Sequence, residues 1–167
     1  MNERVQGAAT HQQLIALLAQ EKARWRLISH EAVGKCEAVS AIRGTALGQG
    51  AKALVCKIKG NGVNQHVLAI LPADQQANLS RLASHLGGLR ASLASPAEVD
   101  ELTGCVFGAI PPFSFHPRLK LIADPLLFER YSEIAFNAGL LEKSIILDTA
   151  DYLRIAKPEQ VTFHRTQ

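Results

Sequence analysis

Two apolar runs, Lys52-Ala-Leu-Val-Cys-Lys-Ile-Lys59 and Asn64-Gln-His-Val-Leu-Ala-Ile-Leu71, meet across Gly60-Asn-Gly62. Asn-Gly favours the positive φ values of a two-residue turn, so the pattern predicts a β-hairpin. Side chains alternate between faces, which puts Lys52 with Leu54, Cys56 and Ile58 and puts Lys57 and Lys59 with Ala53 and Val55. Lys52 is then an ammonium at the mouth of an apolar face, which either snorkels to water or awaits an anion. Lys57 and Lys59, near the tip, read as a solvated edge.

Helical spacing marks the segments between strands. Leu14, Leu17 and Leu18 form a stripe in a helix from a Thr10 cap to about Gln20, and Gly44 closes a helix over Glu37 to Ile42. Asp74 is read as the cap of a helix carrying Leu79, Leu82, Ala83 and Leu86, ended by Gly87-Gly88. Ser95-Pro-Ala-Glu98 is a capping box opening a brief helix to Gly104, and Asp148 caps a helix that stops before Pro158. Short strands are expected at Arg24 to His30, Leu89 to Ala94, Ser132 to Phe136 and Ser144 to Leu147, with a turn at Asn137-Ala-Gly139 and an edge strand at Val161 to His164. Hairpins mixed with short helices, without regular βαβ alternation, predict an α+β fold: a mainly antiparallel or mixed twisted sheet flanked by short helices.

The stretch from Gly104 to Asp124 breaks this rhythm. Two strand-like runs flank Ile110-Pro-Pro-Phe113, where the prolines carry no N–H and hold their neighbours extended. The expected result is a stiff rim of carbonyl acceptors beside Gly108, which lets a ligand approach the backbone closely. Such a rim suits a ligand bearing donors: an ammonium, a ribose hydroxyl or a water. A structural proline turn at a sheet edge is the other reading.

Composition narrows the function classes. The 167 residues suit one domain with a real core, because a chain of this size buries about 70% of its unfolded surface. The charge of +3 permits a nucleic-acid partner without requiring one. The dispersed cysteines Cys36, Cys56 and Cys105 sit among apolar neighbours and read as buried thiols in a reducing compartment. No metal-ligand spacing, dinucleotide fingerprint, P-loop or nucleophile elbow occurs, and no neighbouring acid/base pair marks a triad. His30 falls at a strand end, where a structural hydrogen bonder is the ordinary role. With no signal-peptide pattern and no membrane-spanning run, a cytoplasmic protein without cofactor is expected.

Ile28-Ser-His30, Gly50-Ala-Lys52-Ala-Leu-Val55, Gly108-Ala-Ile-Pro-Pro112-Phe, Leu121-Ile-Ala-Asp124 and Phe136-Asn-Ala-Gly139 through Ser144-Ile, in this order, resemble the YbaK/ProX family of aminoacyl-tRNA deacylases. That family includes the inserted editing domain of bacterial prolyl-tRNA synthetase. The resemblance spans about residues 22 to 157 and implies that the whole chain, residues 1 to 167, is one editing domain. It implies that Lys52 holds a phosphate or the terminal adenosine end of tRNA, and that Gly108 lies at the chemistry. His30, Ala109, Ile110, Pro111, Pro112, Phe113, Gly139 and Ser144 would surround the substrate. In that family the loop backbone positions the ester and the attacking water, the terminal ribose hydroxyl assists, and no side chain becomes a covalent nucleophile. Ser114 follows Phe113 where many relatives have glycine, and Pro111 stiffens the loop, so the amino-acid pocket is expected to differ.

The expected activity is therefore a trans-editing ester hydrolase acting on the acceptor end of mischarged tRNA, with a synthetase or elongation factor as a possible partner and no membrane role. A non-catalytic module binding aminoacyl ends or a small amine is the alternative, and a purely structural domain is the third reading.

Overall fold

A computed structural model of the chain describes residues 6–33 and 35–166. The hairpin forms as the pattern predicts: β2 (Ala51–Gly60) and β3 (Val63–Pro72) pair antiparallel, with Asn61 and Gly62 both at positive φ in the turn. They lie inside a five-stranded mixed sheet. β4 (Arg90–Leu93) pairs antiparallel with β2, β5 (Leu119–Ala123) pairs parallel with β3, and β8 (Glu159–Gln160) pairs parallel with β5. A second sheet is antiparallel, with β7 (Lys143–Asp148) between β1 (Trp25–Ser29) and β6 (Glu133–Asn137). A parallel bridge from Gly50 to Ala135 joins the start of β2 to β6 where the two sheets meet. This α+β arrangement matches the expected fold class.

Alternation along β2 divides its side chains between two cores. Ala51 and Val55 enter a large cluster with Leu14 and Leu18 of helix α1 (Ala8–Gln20), each leucine fully buried and contributing about 1.5–3 kcal/mol. Cys56 and Ile58 enter a smaller cluster with Leu82 of α3 (Leu79–His85) and Phe163. Lys52 lies on this second face, half-buried, as its spacing predicts. Lys57 corrects its expectation. Its ammonium lies 3.0 Å from Glu98 of α4 (Pro96–Thr103), which also meets His66 of β3 at 2.6 Å, so it braces the helix against the sheet. His66 first, then Lys57, hold the Glu98 carboxyl well below the usual carboxylate range.

Caps and loops supply the other corrections. The Ser95 capping box is present, and Asp148 caps α6 (Thr149–Ala156) by accepting from the Asp151 N–H. Helix α1, however, begins at Ala8, so Thr10 lies within its first turn and donates its hydroxyl to the Thr103 carbonyl at 2.6 Å. Asn78, not Asp74, caps α3, because Asp74 is taken by a two-pronged ion pair with Arg130 of α5 (Leu126–Arg130). Asn137 belongs to β6 instead of the following turn, opposite Ser144 of β7. The run Cys105 to Ile110 forms no strand, since its backbone is bent by positive φ at Gly104 and Gly108. The last strand is Glu159–Gln160, upstream of the expected Val161 to His164. There the N–H groups of Phe163 and His164 donate to the Asp124 carboxylate instead of to a ladder. No helix among the described residues is long and apolar enough to cross a membrane.

Candidate functional site

A small open cleft of about 130 Å³ lies where the two sheets meet, room for one end of a larger ligand. The start of β2 forms one wall and β6 another. Helix α2 (Cys36–Arg43) and the Phe107–Ile110 segment complete it. Lys52, Gly108 and Ile110 line it, so the structure brings together residues more than fifty positions apart in sequence. No Asp or Glu side chain is among the lining residues, while Lys52 and Arg43 supply two cations. Lys52 Nζ donates to the Gln75 carbonyl, leaving two of its three donors.

Of the acceptor rim expected from the prolines, the Pro112 carbonyl is already taken, as are the two carbonyls of Gly108 and Ala109 before it. The Gly108 carbonyl accepts from Asn137 Nδ2 at 2.8 Å, the Ala109 carbonyl from the Gly139 N–H at 2.9 Å, and the Pro112 carbonyl from the Tyr152 hydroxyl at 2.7 Å. The reason is burial. Ala109, Pro111, Pro112 and Phe113 turn into the core, where unpaired carbonyls would be costly and partners have been recruited from β6, its following turn and α6. Phe113 packs edge-on against Tyr152 with centroids 5.2 Å apart. These four residues stiffen the loop from behind, leaving Gly108 and Ile110 at the cleft. Gly108, at φ 90°, holds a conformation that L side chains rarely adopt.

His30 and Ser144 stand behind the β6 wall. His30 Nε2 is 2.6 Å from Ser144 Oγ, while Nδ1 is 2.6 Å from the Glu31 carbonyl and must donate to it. The structure thus forms a Ser–His pair that spacing did not reveal. It lacks access: Ser144 is fully buried, its oxygen also accepts from Arg43 Nε at 2.9 Å, and neither residue lines the cleft. Gly139 sits apart, at φ 89°, with its backbone against the start of α1; an added Cβ would come within 3.0 Å of Gly7 O and His11 N.

Three lining residues escaped sequence reasoning. Arg43 looks like an ordinary last-turn cation before Gly44, yet it is desolvated: burial pushes its guanidinium down to about 10, against the nearby Cys36 thiol. Asn137 is a polar residue ending an apolar strand, a signal that the turn reading obscured. Phe107 is 66% exposed at the cleft beside Gly108, where its apolar run had predicted a strand. Cys36 also lines the cleft, so only Cys56 and Cys105 are the expected buried thiols. Among the described residues no group of three or more His, Cys, Asp or Glu side chains is placed to hold a metal ion.

Comparison with known proteins sets this cleft in a family. The chain is 81% identical over 166 residues, 99% of both chains, to the multifunctional Ser/Thr-tRNA deacylase ProXp-y of Escherichia coli strain K12. A 75-residue portion, 45% of this chain and 13% of the relative, is 31% identical to the proline-tRNA ligase of Lactiplantibacillus plantarum. The fold matches a crystal structure described as a candidate trans-editing enzyme for prolyl-tRNA synthetase, with TM-score 0.79, 19% identity and coverage of 95% of this chain and 99% of that one. The aminoacyl-tRNA editing domain family matches residues 30–155, which include α2, the Lys52 strand, the Gly108 loop and the Asn137–Ser144 pair, and the chain belongs to that family.

Proposed function

We propose that the chain is a trans-editing aminoacyl-tRNA deacylase that removes serine or threonine wrongly attached to tRNA, working as one editing domain. The observation that carries this is a cleft with two cations, no lining carboxylate and a glycine backbone at its wall. Such a site suits the anionic, hydroxyl-rich end of an aminoacyl-tRNA. The full-length identity to a relative named as a Ser/Thr-tRNA deacylase supports both the reaction and the amino acids. A second hydrolytic sieve is useful because a pocket separates such small side chains by only about 1–3 kcal/mol.

In this reading Lys52 takes the phosphate of the terminal nucleotide with its free donors. The exposed Phe107 ring is the platform for the terminal base, in keeping with aromatic stacking beside cationic grooves. Water attacks the ester carbonyl at Gly108, where the missing side chain leaves room. The bond between the acyl carbon and the ribose oxygen breaks with the neighbouring ribose hydroxyl assisting, releasing free amino acid and tRNA. Catalysis comes from holding water and ester at near-attack distance, with no covalent enzyme intermediate. The work is cytoplasmic, with a synthetase or elongation factor delivering the mischarged tRNA.

The test is incubation of the purified chain with a panel of tRNAs carrying serine, threonine, alanine or proline. Release of serine and threonine from mischarged tRNAs is expected. Binding of these tRNAs without release would instead make the chain a recognition module.

A further inference from the structure

Arg43 is a half-buried guanidinium whose side-chain partners are neutral. Nε donates to Ser144 Oγ at 2.9 Å and Nη2 to Asn137 Oδ1 at 3.1 Å, and among the described residues Cys36, not a carboxylate, is the ionisable neighbour that acts on it. The two Arg43 bonds therefore fix neutral neighbours and neutralise no charge. Their geometry dictates the sense of the Asn137 amide. A guanidinium only donates, so the atom facing Nη2 is the amide oxygen, which the Ser144 hydroxyl also approaches at 3.1 Å. The amide NH2 is thereby turned away, toward the Gly108 carbonyl at 2.8 Å and the Val33 carbonyl at 3.4 Å. Flipping the amide would set NH2 against guanidinium and oxygen against the Gly108 oxygen, two repulsions in place of two bonds.

We propose that Arg43 is a positioning residue for the ester hydrolysis, acting through the Asn137 amide to hold the Gly108 peptide in its cleft-facing orientation. The proposal rests on the deacylase reading above. Gly108 can rotate more freely than any other residue type, so a loop that depends on its peptide plane needs an external brace. Asn137 and Ser144, opposite each other on β6 and β7, give that brace a rigid base, and the fork of Arg43 engages both at once. The planar fork presents two donors side by side, one to Ser144 Oγ and one to Asn137 Oδ1, a fixed geometry that a point ammonium does not impose. Freed of the brace, the peptide would keep only the Ala109 N–H bond to the Val106 carbonyl at 3.1 Å, and a displacement near 1 Å at a reacting centre can cost about 100-fold in rate.

Two variants of the full chain test this on seryl- and threonyl-mischarged tRNA. Arg43→Lys is expected to lower kcat by about 100-fold with little change in KM. Asn137→Asp places a carboxylate beside Arg43 but offers no donor to the Gly108 carbonyl. It is expected to remain folded and to lose kcat to a similar degree. A purely structural role predicts the opposite: a folded Asn137→Asp with wild-type kcat. That result, or an Arg43→Lys that is folded and turns over normally, overturns the proposal. So does a rise in KM at constant kcat, which would make Arg43 a substrate-binding cation. If Asn137→Asp fails to fold, Arg43→Lys decides alone. Absence of turnover in the wild type on every mischarged tRNA would instead sink the deacylase reading.

Discussion

Asp124 is a charge taken fully out of water and Arg43 one taken half out, and the protein treats them in opposite ways. Asp124, fully buried at the end of β5, receives the Leu126 N–H on one oxygen and the Phe163 N–H, His164 N–H and His164 Nδ1 on the other. Burial alone would raise its carboxyl, but these donors together hold it below the usual range. Both oxygens are hydrogen-bonded, neither lines the cleft, and the result is an anchor tying the C-terminal stretch to the sheet. Arg43 has two neutral partners, keeps unused donors and opens on the cleft. A saturated buried charge holds the fold together, while an unsaturated one at a cavity wall is where the chemistry is to be sought.

The sharpest break in this comparison is Asp124→Ala. It orphans three backbone N–H groups and a histidine ring nitrogen, and should cost about 3–5 kcal/mol in denaturant unfolding while leaving turnover per folded molecule near normal. Because the folded carboxyl is depressed, its contribution is fully present above the unfolded value near pH 4 and disappears as pH falls through the lower folded value. Wild-type stability should therefore drop on acidification below about pH 4, and an Asp124→Asn protein should lose this part of the dependence.

On the cleft side, Lys52→Ala is expected to leave Tm almost unchanged and reduce deacylation on the order of 100-fold, by removing the contact that positions the terminal phosphate. Near-normal turnover by the folded variant would refute that role. Phe107→Ala should raise KM for mischarged tRNA about tenfold through loss of stacking, with Phe107→Tyr close to wild type. Treatment with a strong chelator should change nothing, and activity lost on chelation and restored by zinc would require a metal site.

Local signals carried most of the fold. The Asn61-Gly62 turn, the Ser95 capping box, the Asp148 cap and the alternation that singles out Lys52 each depend on residues within a few positions of one another. What escaped were relations across the chain. Nothing near Arg43 announces that a β6–β7 pair about a hundred residues later will desolvate it. Similarly, Cys105 to Ile110 has the composition of a strand, but its backbone partners come from Asn137, Gly139 and the Val106 carbonyl instead of a neighbouring strand. Asp74 and Asn78 are equally good caps by type, and Arg130 decides between them. The Gly108 and Lys52 positions were legible from their motifs, whereas the brace that holds Gly108 was not.

The central claim, that backbone geometry at Gly108 and not the Ser144–His30 pair carries hydrolysis, is tested most directly by comparing Gly108→Ala and His30→Ala on one seryl-mischarged tRNA. A methyl at Gly108 is strained at φ 90° and, in the proposed mechanism, would occupy the space left for water and ester, whereas neither His30 nor Ser144 lines the cleft. With both variants shown to be folded, the account predicts Gly108→Ala nearly inactive and His30→Ala still turning over measurably. A dead His30→Ala beside an active Gly108→Ala would contradict it and make the histidine the base.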